Sequence, residues 1–199
     1  MSGHSHWATI KHKKGAIDAK RGTGEVEGLI FEEVTYEGYG SGGVALMVEV
    51  LTDNRNRTAS EIRKIFDRAG GKMGSAGNVA FLFERKGVFS VEASTTDEDT
   101  LMGIALDAGA DDLKRSGSTF DITCDPPVFN QVQDALKKNG LNPVVAEISQ
   151  VAKVPVDVDV ETGMKVLRLM EALDDQDDVQ NVYSNVNMSE ELVAAAAKE

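Results

Sequence analysis

The chain has 199 residues, of which 41% are hydrophobic and 27% charged, and its net charge of −12 makes it acidic. These proportions exclude a disordered or fibrous chain, and the single cysteine excludes an internal disulfide. No apolar run approaches the roughly 20 residues of a membrane-spanning helix, and residues 2–10 lack the apolar stretch of a signal peptide, so we expect a cytoplasmic protein without a membrane partner.

The N-terminal segment, residues 1–22, is basic in an otherwise acidic chain. It holds five basic residues and one acidic residue, whereas the rest of the chain holds 16 basic and 32 acidic residues. A local basic segment can bind a polyanion that the remainder of the molecule repels. The alternative is a solvated tail. The predicted nucleic-acid contacts in this segment are His4, Trp7, Lys11, His12, Lys13, Lys14, Lys20 and Arg21.

Two strands are predicted next, over residues 29–36 and 44–51, because both stretches are rich in β-branched and aromatic residues. The glycine-rich connection between them, residues 37–43, contains the G-x-G-x-x-G spacing of dinucleotide sites. Such a site needs a helix after the glycines, and here a strand follows. We therefore interpret the connection as a hairpin loop and expect no nucleotide cofactor.

The clearest predicted helix begins at the capping-box pattern of Thr58 and Glu61. Ile62 and Phe66 recur on one face with helical spacing, and glycines at 70 and 71 predict its end.

Basic residues are concentrated around this helix, since residues 54–72 hold six bases and two acids. We expect Arg55 and Arg57 in the turn before the helix, where free N–H groups also attract anions, and Arg63 on its polar side. These three arginines complete the predicted nucleic-acid-binding residues. The alternative is that Arg55 and Arg57 pair with Asp53 and other acidic residues to hold the turn.

The middle of the chain predicts a ferredoxin-like unit. The order strand, helix, strand, strand, helix, strand is typical of that unit. A strand at 78–84 and a turn at 85–87 are predicted before this unit. The unit itself has predicted strands at 88–93, 111–114, 119–124 and 143–148 and predicted helices at 97–109 and 126–139.

The last part alternates like a strand over 151–160 and continues with a helix at 162–173, a solvated acidic loop at 174–178, a strand at 179–186 and a frayed helix or tail. Neither flank of the ferredoxin-like unit makes a complete sheet alone, so we predict an α+β fold in which one α/β domain is inserted into another. The predicted parts are the basic segment 1–22, an α/β domain from 23–85 and 151–188, the inserted domain 86–150 and the tail 189–199.

No residue pattern predicts catalysis or a metal site. Cys124 has no histidine in its predicted domain, so we interpret it as a small apolar residue at a strand end. Residues 157–161 begin like a calcium loop, but Thr162 replaces the required glycine, and the alternation favours the polar face of a strand. The three histidines lack metal-site spacing. We expect no enzyme activity, metal, cofactor or small-molecule substrate.

Six segments together resemble the YebC/PmpR family. They are residues 3–15 (GHSHWATIKHKKG), 18–25 (DAKRGTGE), 36–40 (YEGYG), 51–61 (LTDNRNRTASE), 79–87 (VAFLFERKG) and 177–185 (DDVQNVYSN). The resemblance implies an N-terminal helical part and two α/β domains, the last inserted into the second. It also implies DNA-binding transcriptional regulation, translation activation as in mitochondrial relatives, or a link to stalled ribosomes, and no enzyme activity.

The sequence departs from that family at two places. The family has a long helical stretch between DAKRG and GTGE, whereas here Gly22 runs directly into Thr23, so residues 1–22 resemble a remnant of the helical domain. His6 stands where the family usually has lysine, which makes the segment less basic at neutral pH.

These observations predict a non-enzymatic regulator of gene expression that binds nucleic acid. The first interpretation is a DNA-binding transcriptional regulator. The alternative is a ribosome-associated translation factor that contacts ribosomal RNA, which suits an acidic body with one basic extension. A protein-interaction module without nucleic acid is a third interpretation.

Overall fold

The structure is a computed structural model that describes residues 30–197. The basic segment 1–22 lies outside the described residues. The predicted contacts His4, Trp7, Lys11, His12, Lys13, Lys14, Lys20 and Arg21 therefore lie outside them as well.

The described residues form eight strands and five helices in a mixed order. They are β1 (Glu32–Tyr39), β2 (Ala45–Thr52), α1 (Arg55–Arg68), β3 (Lys72–Met73), β4 (Phe83–Glu92), α2 (Glu98–Asp107), β5 (Ala110–Ser116), β6 (Thr119–Cys124), α3 (Phe129–Lys138), β7 (Val145–Ala152), α4 (Val160–Asp174), β8 (Val179–Ser184) and α5 (Glu190–Ala196). None of these helices is long and apolar enough to span a bilayer.

The described chain divides into two compact units. The inserted unit comprises residues 84–151, and the host unit comprises residues 30–83 and 152–197. Each has a four-stranded sheet, so the predicted α+β class with an inserted unit is confirmed.

The host unit packs helices against an antiparallel sheet in the order β3-β1-β2-β8. Ile62 and Phe66 of α1 are fully buried, and each such side chain contributes about 1.5–3 kcal/mol to folding. Helix α1 approaches β1 closely at Gly38. A Cβ atom there would lie 2.7 Å from the Phe66 ring and 2.7 Å from the carbonyl oxygen of Lys72, so only glycine fits.

The inserted unit has the sheet order β5-β6-β4-β7, and β6 pairs antiparallel with both β4 and β5. This is the strand order of a ferredoxin-like βαββαβ unit, as predicted. Its core contains Phe89 and Ile122 from the sheet, Leu101 from α2 and Leu136 from α3. Cys124 is buried in the same core at the end of β6, which confirms its interpretation as a small apolar residue.

The predicted turn at residues 85–87 is wrong, because β4 runs through it. Gly87 pairs with Cys124 of β6, and a Cβ atom at Gly87 would lie 2.7 Å from Cys124 Sγ and 2.7 Å from the Phe129 ring. The glycine therefore allows a close approach between strand and helix instead of reversing the chain. Much of the strand predicted at 78–84 is a loop and a 3-10 turn, Ala80–Leu82.

Two C-terminal segments also differ from prediction. The polar strand face predicted at 157–161 is wrong, because Asp159 begins α4 as its N-cap and accepts a hydrogen bond from the Thr162 N–H at 2.8 Å. Residues 190–196, predicted as a frayed helix or tail, form α5. Its Leu192 is buried against Gly163 of α4.

Candidate nucleic-acid interface

Helix α1 begins one turn earlier than the capping-box pattern predicts. Asn54 is the N-cap, and its Oδ1 accepts a hydrogen bond from the Arg57 N–H at 3.1 Å. Arg55 and Arg57 therefore lie in the first turn of the helix and not in the turn before it. Thr58, the predicted cap, points into the protein and is fully buried.

Asp178 anchors this helix end from the far end of the sequence. Its Oδ2 accepts hydrogen bonds from Thr58 Oγ1 at 2.6 Å and from Arg57 Nη2 at 2.9 Å. Asp178 is only 5% exposed, so the prediction of a fully solvated acidic loop is wrong at this residue. Burial by itself raises the pKa of Asp178, but the hydrogen bonds from Thr58 and Arg57 and the charge of Arg57 outweigh it and leave that pKa lowered.

The structure separates the roles of the two neighbouring arginines. Arg57 Nη2 also contacts Asp53 Oδ1 at 2.8 Å, so Arg57 forms the pairs that the alternative interpretation described. Its side chain is still 44% exposed, and the rest of its guanidinium is available to a ligand. Arg55 is exposed and forms no ion pair with any described residue.

These contacts predict different responses to truncation. Arg57→Ala is expected to lower the melting temperature, because Asp178 then loses a charged hydrogen-bond donor. Arg55→Ala is expected to leave it unchanged. Thermal unfolding of both variants by circular dichroism checks this, and equal melting temperatures would contradict the anchoring role of Arg57.

Helix α1 presents a set of exposed cations that we call the basic face. Within residues 30–197 these cations form no ion pair. The helix rises about 1.5 Å per residue, so the face extends for roughly 20 Å. Its members are Arg55, Arg63, Lys64 and Arg68.

The basic face is locally cationic although the host unit is acidic. The described host unit has nine basic and 17 acidic residues, and six of those nine bases lie between residues 54 and 72. Of the two acidic residues in that stretch, Glu61 accepts a hydrogen bond from Gln176 Nε2 at 2.8 Å, and Asp67 is exposed as one carboxylate among the cations. The face can therefore contact phosphates through charge and hydrogen bonds without reading bases.

The sequence predicts this face only in part. Arg55 and Arg63 were predicted, and both are exposed on α1. Lys64 and Arg68 were not among the predicted contacts, although the count of bases from 54 to 72 already indicated them. Asp178 was missed because its partners lie more than a hundred residues away in sequence.

The single cysteine of the chain is not placed as a nucleophile. Cys124 is buried, and that burial raises the pKa of its thiol to about 11, so the thiol stays protonated and is a poor nucleophile at neutral pH. No group of three metal-ligating side chains occurs in the part of the chain that the structure describes.

Comparisons with known proteins identify similar chains. The family model described as "TACO1/YebC second and third domain" matches residues 31–186. A relative from Koribacter versatilis, named probable transcriptional regulatory protein, is 43% identical over 96% of this chain and 97% of its own. A relative of the same name from Dictyoglomus turgidum is 42% identical over 97% of this chain and 98% of its own.

A solved structure is similar as well. The crystal structure of a conserved hypothetical protein from Aquifex aeolicus matches with a TM-score of 0.73 and 43% identity, over 84% of this chain and 70% of that chain.

Proposed function

Because the chain belongs to the TACO1/YebC family, we propose that it is a non-enzymatic regulator of gene expression that binds DNA and acts on transcription. The regulatory names of its relatives support this proposal. The observation that carries it is the basic face of α1, where exposed arginines and lysines without ion pairs in the described chain concentrate in an acidic unit.

In this proposal α1 binds the phosphate backbone of DNA. Ile62 and Phe66 fix the helix on the sheet, and Asp178 fixes its first turn, so the cations are presented from a rigid element. Each phosphate contact releases counterions, which makes affinity fall with salt. The basic segment 1–22 would add phosphate contacts of the same kind.

The test is the salt dependence of duplex DNA binding in an adjacent-pair variant. Arg63→Ala with Lys64→Ala removes two cations of the basic face. The slope of log K against log salt is expected to become shallower by about 0.9 for each lost phosphate contact. Fluorescence anisotropy across a salt series measures this slope.

Lys137→Ala with Lys138→Ala is the matched control. These two exposed lysines are also adjacent, and they lie on α3 of the inserted unit. The control is expected to keep the wild-type slope. Equal flattening in both double variants would mean that only net charge matters, and the assignment of the basic face would fail.

A second candidate function is that of a ribosome-associated translation factor. The described residues contain 15 basic and 29 acidic residues, which favours insertion of one basic surface into a ribonucleoprotein over wrapping of a DNA duplex. Crosslinking in cells followed by sequencing of the attached nucleic acid decides between the two. Promoter DNA supports the first function, and ribosomal RNA recovered at discrete positions supports the second.

A further inference from the structure

The loop of residues 74–82 is fixed to the host sheet by a buried carboxylate. Glu37 is 5% exposed, and it accepts hydrogen bonds from the N–H groups of Gly77 at 2.7 Å, Val79 at 2.6 Å and Ala80 at 2.9 Å. Side chains alternate along β1, so Glu37 lies on the opposite side of the sheet from Gly38, which faces α1. The loop is therefore held on the face away from that helix.

This fixed loop presents aromatic side chains to solvent. Phe81 is 63% exposed, and Tyr39 is 37% exposed with its hydroxyl donating to the Asn78 carbonyl of the same loop at 3.1 Å. An exposed ring on a fixed backbone loses little entropy when a ligand covers it. The layer beneath the loop is a buried cluster of Ala45, Met47, Val79, Phe83 and Tyr183.

Each of the two aromatic residues has a lysine as a neighbour. Lys153 Nζ donates to the Phe81 carbonyl at 3.0 Å, and Lys72 is the cross-strand neighbour of Tyr39. Both lysines are exposed, and neither forms an ion pair with a described residue. The surface thus combines two cations with two aromatic side chains.

We propose that Lys72, Tyr39, Phe81 and Lys153 form a platform for single-stranded nucleic acid. Unpaired bases stack on the two rings while the lysines contact phosphates, the combination that single-strand binding surfaces use. Asn78, which holds Tyr39, is three residues from Phe81, a span of at most about 11 Å, so a few successive nucleotides reach both rings. The platform rests on the proposed function and adds to it the ligand class, a strand with unstacked bases.

The lysines favour this ligand over an apolar protein surface. Val154, which follows Lys153 in the sequence, allows an experiment to distinguish a nucleic-acid ligand from an apolar protein ligand. Its side chain is 65% exposed but has no flat ring on which a base could stack. A duplex offers few free base faces, so the platform discriminates single strands from duplexes.

The test compares Phe81→Leu, Phe81→Trp and Val154→Ala by anisotropy with labelled oligouridylate, oligothymidylate and duplex DNA. Phe81→Leu keeps apolar area and removes stacking, so single-strand affinity is expected to fall about fivefold or more while duplex affinity stays unchanged. Phe81→Trp and Val154→Ala are expected to bind single strands like the wild type. Equal binding of the two oligonucleotides supports recognition of bases and phosphates, and stronger binding of oligouridylate supports an added ribose contact.

A direct readout of stacking uses Phe81→Trp combined with Trp7→Phe, which leaves one tryptophan in the chain. Its fluorescence is expected to be quenched at saturation with oligothymidylate. Absence of quenching despite binding overturns the platform. So does wild-type single-strand affinity in Phe81→Leu, or an equal loss in Val154→Ala.

The proposed function is tested separately by the salt slope of Arg63→Ala with Lys64→Ala on duplex DNA. A flattened slope there, together with unchanged single-strand binding in Phe81→Leu, overturns the platform and leaves the proposed function standing. Nucleic-acid binding that is insensitive to both sets of variants overturns both.

Discussion

Asp178→Ala is expected to lower the free energy of unfolding by about 2–4 kcal/mol, because hydrogen bonds to a charged group contribute about 1.5–3 kcal/mol each and are not additive. The substitution removes the acceptor of the buried Thr58 hydroxyl and of Arg57. Denaturant unfolding measures the loss. We also expect weaker DNA binding, since the first turn of α1 is no longer fixed.

Asp175→Ala is the matched control for this variant. Asp175 lies in the same acidic loop but is exposed at the end of α4. A surface change of this kind is expected to stay within about 0.5 kcal/mol. Similar losses in both variants would show that Asp178 has no anchoring role.

The lowered pKa of Asp178 gives this anchor a defined pH dependence. A carboxyl group whose pKa is lower in the folded state contributes stability above its unfolded pKa of about 3.9, and that contribution is lost as the pH falls through the folded value. The difference in unfolding free energy between the wild type and Asp178→Asn is therefore expected to shrink below about pH 4. A difference that stays constant with pH would contradict the lowered pKa.

Glu37→Ala is the second substitution with a large expected effect, again about 2–4 kcal/mol of unfolding free energy. Three backbone N–H groups donate to this buried carboxylate, and without it they lose their acceptor. Hydrogen exchange at Gly77, Val79 and Ala80 should accelerate, and denaturant unfolding measures the total loss.

Glu33→Ala is the matched control for this variant. It removes an exposed carboxylate from the same face of β1. It should leave both the stability and the exchange of the loop unchanged. Unaltered exchange in Glu37→Ala would mean that the loop is held by other contacts. If the loop is released, single-strand binding should weaken more than duplex binding.

Local patterns predicted most elements but not every boundary. The interior of α1 follows from the spacing of Ile62 and Phe66. Its start does not, because Asn54 and Thr58 are both good capping residues. The choice between them depends on Asp178, whose carboxylate binds the Thr58 hydroxyl and draws it inward. Such a contact between distant parts of the chain leaves no local signal in the sequence.

The structural role of Gly87 was similarly ambiguous in the sequence. Gly87 follows two charged residues, which is typical of a turn, yet it lies within β4. The reason is the close contact with Cys124 and Phe129, which belong to elements about forty residues later in the chain. A glycine that is required for close packing cannot be distinguished in the sequence from a glycine that is required for a turn. The distinction needs knowledge of the element that packs against it.

The charge of the candidate site could be predicted from the sequence, but the roles of its individual arginines could not. A count of bases found the cationic stretch around α1, since charge belongs to each residue by itself. Whether an arginine holds the start of α1 or stays available to a ligand depends on where its guanidinium lies in the folded structure. Arg57 pairs with Asp53 and Asp178, whereas Arg55, two residues away, forms no pair with a described residue.

The two segments that connect the host unit to the inserted unit are hydrogen-bonded to each other, which has a consequence for the order of folding. The Lys153 N–H donates to the Leu82 carbonyl at 2.9 Å, so the chain leaves the host unit and returns to it at neighbouring positions. In the unfolded chain, pairing Leu46 of β2 with Ser184 of β8 closes a very long loop. The entropy cost of closure grows with loop length.

The inserted unit is continuous in sequence and can form without that closure. Once it has formed, its two ends lie next to each other. The host segments before and after it are then joined by a short effective loop. We therefore expect the inserted unit to acquire its structure first and the host sheet to follow, since non-local pairings form late when their closure is costly.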